Sequence, residues 1–268
     1  MAVFLCDLIP KRIDWINKND IGKKMSRFTI RIADLLIEVS ANFDTTYQYC
    51  KEFLASGPAD FLVEISEKDI IYERKKSEQE DILEGIPVRK FSDEYLETLA
   101  VYRKICRELL NRDTLLFHGS VIAVDGEGYL FTAKSGTGKS THTALWRREF
   151  GERAEMINDD KPLLKINEKE ILACGTPWNG KHRLGCNKIV PLKAICILER
   201  DTQNHIERIS AHEALPILMQ QSFRTGTPAG MMRLLDVLEQ IMDKIKIYRL
   251  GCNMDPEAAH VAYDGMQK

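Results

Sequence analysis

Hydrophobic positions along the chain fall into three kinds of period. From Phe28 the pattern alternates, with Phe28, Ile30 and Ile32 apolar and Thr29 and Arg31 polar, as expected of a strand with one buried face. Leu35–Val39, Phe61–Ile65 and Ile70–Tyr72 read as further short strands, and Thr45–Ala55 as a short helix. Lys75–Asp81 (KKSEQED) has no apolar residue and reads as an exposed loop. Residues 25–88 thus predict a small α+β N-terminal domain. Residues 1–24 carry no period and predict an irregular extension, unless Met25 is the true start.

Helical spacing begins after Ser92, a candidate N-cap followed by Asp93 and Glu94. Tyr95, Leu99, Tyr102, Ile105, Cys106, Leu109 and Leu110 then recur every three or four residues. Leu115–Val124 is an apolar strand-like run, broken by the turn Asp125-Gly126-Glu127-Gly128, and Tyr129–Ala133 is a second strand. A helix is predicted from Lys139 to Phe150, stopped by Gly151. Ala154–Ile157, Ala194–Leu198 and Ile245–Leu250 read as strands. Ser210 and Glu213 form a capping box ahead of a helix through Phe223, with Pro216 inside it. Thr227-Pro228 opens another helix, and Asp255-Pro256 starts a terminal one. Residues 89–268 are therefore an α/β domain.

Residues 133–140 read Ala-Lys-Ser-Gly-Thr-Gly-Lys-Ser, the Walker A pattern with only its first glycine replaced. The loop lies between a predicted strand and a predicted helix, as its mechanism requires. Its backbone amides must curl around phosphate oxygens, and Gly136 and Gly138 permit that curvature. The helix N-terminus favours the anion. Candidate nucleotide contacts are Ser135, Gly136, Thr137, Gly138, Lys139, Ser140 and Thr141. Lys139 would reach the terminal phosphates, and Ser140 would offer its hydroxyl to Mg²⁺.

Asp159-Asp160 end a short strand about twenty residues later. A parallel neighbour strand would bring them beside the loop. There one carboxylate can bind Mg²⁺ and the other can accept the proton of an attacking hydroxyl. Adjacent carboxylates also raise each other's proton affinity. The alternative is a solvated turn, since Asp-Asp-Lys-Pro is turn-like.

His118-Gly119, the turn, the Ser135–Ser140 loop and Asp159-Asp160 together resemble the catalytic domain of HPr kinase/phosphorylase. They are also similar to the related ATP-dependent phosphoenolpyruvate carboxykinase. The resemblance covers about residues 113–260 and implies a P-loop kinase core with a hairpin ahead of the loop. It implies that His118 stands near the phosphates, and that Asp159 and Asp160 share metal binding and the general-base role. The sequence departs from the family at residues 175–183, Gly-Thr-Pro-Trp-Asn-Gly-Lys-His-Arg. That loop is the candidate for acceptor recognition. Trp178 would supply a flat apolar surface, and Lys181 and Arg183 would pair with phosphate charge.

The implied activity is ATP- and Mg-dependent transfer to a serine-type hydroxyl of a protein, peptide or small molecule. A non-catalytic nucleotide-binding regulatory module and a carboxykinase-like enzyme are the alternatives. The donor is open among ATP, ADP, GTP and pyrophosphate. Oligomeric state is open too, although some members of that family form rings.

Composition narrows the partners. The net charge is −2 over 268 residues, so no bulk field favours nucleic acid or an anionic membrane. No apolar run approaches the ~20 residues a membrane helix needs. The seven cysteines are odd in number and none is spaced C-x-x-C, which points away from a disulfide framework or zinc ribbon and toward a reducing cytoplasm.

Overall fold

A computed structural model describes residues 26–134, 136–180 and 182–267. The N-terminal extension and Met25 lie outside the described residues. The protein is a mixed α/β chain with strand-rich sheets and seven α-helices among the described residues. Contacts divide it into two compact units, with the boundary between Glu108 and Leu109.

In the first unit, β1 (Ser26–Ile32) and β2 (Leu35–Ala41) form an antiparallel hairpin, and β3 (Phe61–Glu64) adds parallel to β2. Alternation drives it: Phe28, Ile30, Ile32, Ile37 and Val39 are buried on one face. The short helix is α1 (Asp44–Tyr49), continued by a 3₁₀ turn at Lys51–Phe53.

The strand expected at Ile70–Tyr72 and the loop expected at Lys75–Asp81 are both parts of one helix, α2 (Glu67–Leu83). Its buried stripe is Ile70, Glu73, Ser77 and Asp81, so the helical face is mostly polar and no apolar period announces it. Ion pairs replace the missing apolar contacts. Glu73 pairs with Arg103, and Asp81 accepts from Arg89 Nε at 3.0 Å and Arg89 N at 2.7 Å. Asp69 starts the helix by accepting from Ser66 N and Oγ at 3.0 and 2.7 Å.

Helix α3 (Asp93–Leu110) groups largely with the first unit rather than with the second. A further buried carboxylate, Glu97, ties it there. Glu97 accepts from Asn42 N at 2.6 Å, Phe43 N at 3.0 Å and Thr46 Oγ1 at 2.6 Å. A buried carboxylate with that many donors is well compensated.

The second unit is built on a nine-stranded sheet. Leu115–Val124 is not one strand but two, β4 (Thr114–Leu116) and β5 (Ser120–Val124), with Phe117-His118-Gly119 between them. β6 (Glu127–Thr132) pairs antiparallel with β5, and β7 (Ala154–Asn158) pairs antiparallel with the other side of β5. β8 (Leu163–Ile166) and β9 (Ile171–Cys174) are strands that the sequence pattern does not predict. The long β10 (Ile189–Arg200) pairs with β9 at its start, then runs parallel to β6 and to β12 (Lys246–Cys252). β11 (His205–Arg208) borders β12 antiparallel.

Both faces of this sheet are covered. Val121, Leu130, Ile195 and Ile247 point to one face, beneath α5 (Ala211–Gln221) and α6 (Pro228–Lys244). Ile122, Tyr129, Phe131, Cys196 and Tyr248 point to the other, beneath α4 (Lys139–Phe150) and α7 (Glu257–Met266). The strands buried on both sides therefore read as continuous apolar runs. Pro216 sits inside α5. No described helix is long and apolar enough to cross a membrane, and the six described cysteines are free thiols.

Candidate functional site

Three strands end at one edge of the large sheet. β6, β10 and β12 run parallel, so their carboxyl ends share that edge. β7 is antiparallel to β5, which is antiparallel to β6, so the carboxyl end of β7 shares it as well. Ser120 of β5 lies opposite Phe131, and Val121 opposite Asn158. The end of β6 and the end of β7 thus stand two strand spacings apart, roughly 10 Å. β7 is therefore parallel to β6 but not the neighbour expected of it, because β5 lies between them.

Beyond β6 the backbone curls. Gly136 and Gly138 have φ of +75° and +126°, and a Cβ on either would meet nothing within 4 Å. The turn is closed by Thr137 N donating to Lys134 O at 3.2 Å. Helix α4 begins at Lys139, and Lys139 Nζ donates to Ala133 O at 3.2 Å. Ser140 and Thr141 follow in its first turn. Glycine backbone with open space before it, leading into a helix N-terminus, is the arrangement that receives an anion. Ser135 lies outside the described residues.

Beyond β7, Asn158 shapes the turn that carries the aspartates. Its Oδ1 accepts from Asp160 N at 2.9 Å and Lys161 N at 2.6 Å, while its Nδ2 donates to Thr176 Oγ1 at 3.0 Å. Asp159 is 8% exposed and its Oδ1 accepts from Gly180 N at 2.5 Å. Burial raises the Asp159 pKa, and the neighbouring Asp160 charge adds to the rise, while the Gly180 amide opposes it. Asp160 faces two cations or potential cations: Lys161 Nζ at 3.2 Å and His118 Nε2 at 3.6 Å.

His118 is tied to both strands and to α5. Its carbonyl accepts from Thr132 Oγ1 at 2.9 Å, its amide donates to Gln221 O at 2.7 Å, and its Nδ1 meets Gln221 Oε1 at 2.7 Å. An acceptor at Nδ1 assigns the proton there and turns Nε2 toward Asp160. The next two residues complete the link: Gly119 N donates to Asp160 O at 3.1 Å and Ser120 Oγ to Asp159 O at 3.0 Å. The fold therefore brings His118, Asp159 and Asp160 together, at the same edge as Lys139.

The 175–183 loop contributes unevenly. Trp178 is 1% exposed, so its ring belongs to the interior and is not the open apolar surface expected of it. Its carbonyl instead accepts from Asn158 Nδ2 at 3.3 Å. Arg183 is exposed at φ +48°, and Lys181 lies outside the described residues.

Four residues of the site, Asn158, Lys161, Gln221 and Arg200, are not singled out by the sequence pattern. Asn158 and Lys161 flank the aspartates and are within reach of a local reading; Gln221 is 103 residues from His118 and carries no local signal. Arg200, at the end of β10, donates to Gly136 O at 2.5 Å and Thr137 O at 3.2 Å.

The family model for SynChlorMet cassette protein ScmC matches residues 88–257, well over half of the chain. The chain belongs to that family. No curated protein matches it. Among solved structures, the Hpr(Ser) kinase/phosphatase from Coxiella burnetii is similar over 56% of this chain and 94% of its own, at 13% identity and a TM-score of 0.33. At that TM-score the likeness decides nothing about chemistry. The matched ScmC region contains the 133–140 loop, the aspartates and Arg200.

Proposed function

We propose that this chain is a nucleotide-dependent phosphotransferase, moving the terminal phosphoryl group of an ATP-type nucleotide to a serine-type hydroxyl of a protein, peptide or small molecule. The observation that carries this reading is the shared sheet edge, with an open glycine loop and helix N-terminus beyond β6 and an aspartate pair beyond β7, Asp159 buried and Asp160 half-buried.

The loop amides around Gly136 and Gly138 receive phosphate oxygens, with Ser135, Thr137 and Thr141 in the same segment. Lys139 leaves its contact with Ala133 O and places its charge on the phosphates. Asp159, whose proton affinity burial raises, accepts the proton of the attacking hydroxyl. Lys161 holds Asp160 in place, and His118 Nε2 stands beside the same carboxylate. Arg183, with Lys181 in the same loop, faces the acceptor's charge. Trp178 acts as internal support.

Among the described residues no three or more His, Cys, Asp and Glu side chains are placed to cage a metal on their own. Ser140, Asp160 and Asp159 are instead the sparse oxygen set that Mg²⁺ takes alongside substrate phosphates. Ser140 and Asp160 would hold the ion, which when bound supplies charge neutralisation at the phosphates.

The test is incubation of the chain with ATP labelled in its γ-phosphate, Mg²⁺ and extract of its source cells, alongside Asp159→Asn and Asp160→Asn. Label should pass to an acceptor with the wild type alone, while both variants still bind nucleotide. ATP bound with no label transferred to anything would favour a regulatory nucleotide sensor. Undiminished transfer by the variants would remove the assigned roles.

A further inference from the structure

The phosphate loop is held from the side opposite the aspartates. β10 lies on the other flank of β6 from β5 and β7. Its pairing with β6 ends at Ile197 opposite Thr132, and Arg200 follows three residues later, level with the loop. The guanidinium there uses two of its donors on two successive carbonyls, Nη2 to Gly136 O and Nε to Thr137 O. Fork geometry is what arginine offers and lysine does not.

Peptide planarity turns those contacts into an orientation. The chain has no cis peptide bonds among the described residues, so each N–H points away from the carbonyl that precedes it. A carbonyl of Gly136 drawn toward Arg200 turns the amide of Thr137 inward, where it closes the turn on Lys134 O. A carbonyl of Thr137 drawn the same way turns the amide of Gly138 away from Arg200. Glycine at 136 and 138, on either side of Thr137, leaves these planes soft, so an external restraint has something to decide.

We propose that Arg200 is a positioning residue of the phosphate loop, a latch that fixes the Gly136 and Thr137 peptide planes so that the Thr137 amide stays turned into the loop and the Gly138 amide is presented to polyphosphate. The inference rests on the phosphotransferase reading for its ligand. It assigns Arg200 to nucleotide capture and not to proton transfer, because the aspartates stand on the far side of β6.

The experiment measures binding of ATP and of inorganic triphosphate to wild type, Arg200→Ala and Arg200→Lys by calorimetry, with thermal unfolding recorded for each. Arg200→Ala should weaken both ligands by about ten-fold or more, the equivalent of ~1.4 kcal/mol, with the unfolding midpoint held. Free guanidinium ion should restore part of the loss. The KM for ATP should rise while the pH dependence of kcat stays put. Should Arg200→Ala fail to fold, Arg200→Lys decides: a single ammonium nitrogen does not reproduce the planar fork of Nε and Nη2 that sets the two peptide planes, so its affinity should fall short of wild type. Affinity in either folded variant equal to wild type would overturn the latch and leave the phosphotransferase reading standing. Wild type that binds neither ATP nor triphosphate would overturn both.

Discussion

Gly180 donates its amide to Asp159 Oδ1 at 2.5 Å, and a Cβ on residue 180 would stand 2.8 Å from Asp159 Oδ2. One glycine thus both aims the buried carboxylate and leaves room for it. Gly180→Ala should push Asp159 off its position while leaving the 133–140 loop alone. Displacements of ~1 Å in such groups cost up to about 10²-fold in rate. Steady-state kinetics should show kcat reduced by at least ten-fold of that range with ATP affinity kept. Equal losses in both would place Gly180 outside the proton-accepting machinery.

Asp159 also sets a pH dependence. Burial raises its pKa above the ordinary aspartate value. As the proposed base it would work only when ionised, so transfer should fall as pH drops through that raised value. The acidic limb of the kcat profile should therefore lie higher than an exposed aspartate would put it. A limb at the ordinary value would assign the base elsewhere.

Gly138 has φ +126° with no atom within 4 Å of an added Cβ. Gly138→Ala is therefore a test of backbone conformation without steric collision. Holding a side-chain residue in that region costs of order 1–3 kcal/mol. The variant should relax the loop and weaken ATP binding measured by calorimetry. Unchanged affinity would show that the curl at 138 is not what receives the phosphates.

On the buried face of the loop helix α4, His142 is 3% exposed and accepts from Trp146 Nε1 at 3.0 Å. Burial lowers its pKa from 6.5 to about 4. Between those values the unfolded chain binds the proton and the folded chain does not, so stability falls as pH drops from 6.5 toward 4. At ~1.4 kcal/mol per pKa unit the full effect is about 3 kcal/mol. Denaturant titrations across this range should show the loss, and His142→Phe should flatten it. An identical slope in the variant would assign the acid sensitivity to other groups.

Much of the second unit is legible in the sequence because its signals are local. The glycine loop, the Lys139–Phe150 helix, the capping box at Ser210 and the acidic pair all lie within short windows. The structure reproduces those elements to within a residue or two. Helix α2 escapes such a reading because Glu73, Ser77 and Asp81 fill its buried face, and a polar stripe leaves no hydrophobic period. β8 and β9 are four residues each and β11 borders the sheet with three of its four residues exposed. Gln221 and Arg200 reach the site only through tertiary pairing. Arg200 nonetheless carries a readable cue, a charged residue at the carboxyl end of an apolar strand, where open α/β sheets bind ligands.

The most direct measurement is calorimetric titration of Mg-ATP into wild type and Lys139→Met, with thermal unfolding confirming that both are folded. Saturable one-site binding by the wild type, lost or greatly weakened in the variant, is the expected result. No binding by the wild type, or equal binding by the two, would contradict a polyphosphate site at residues 133–140.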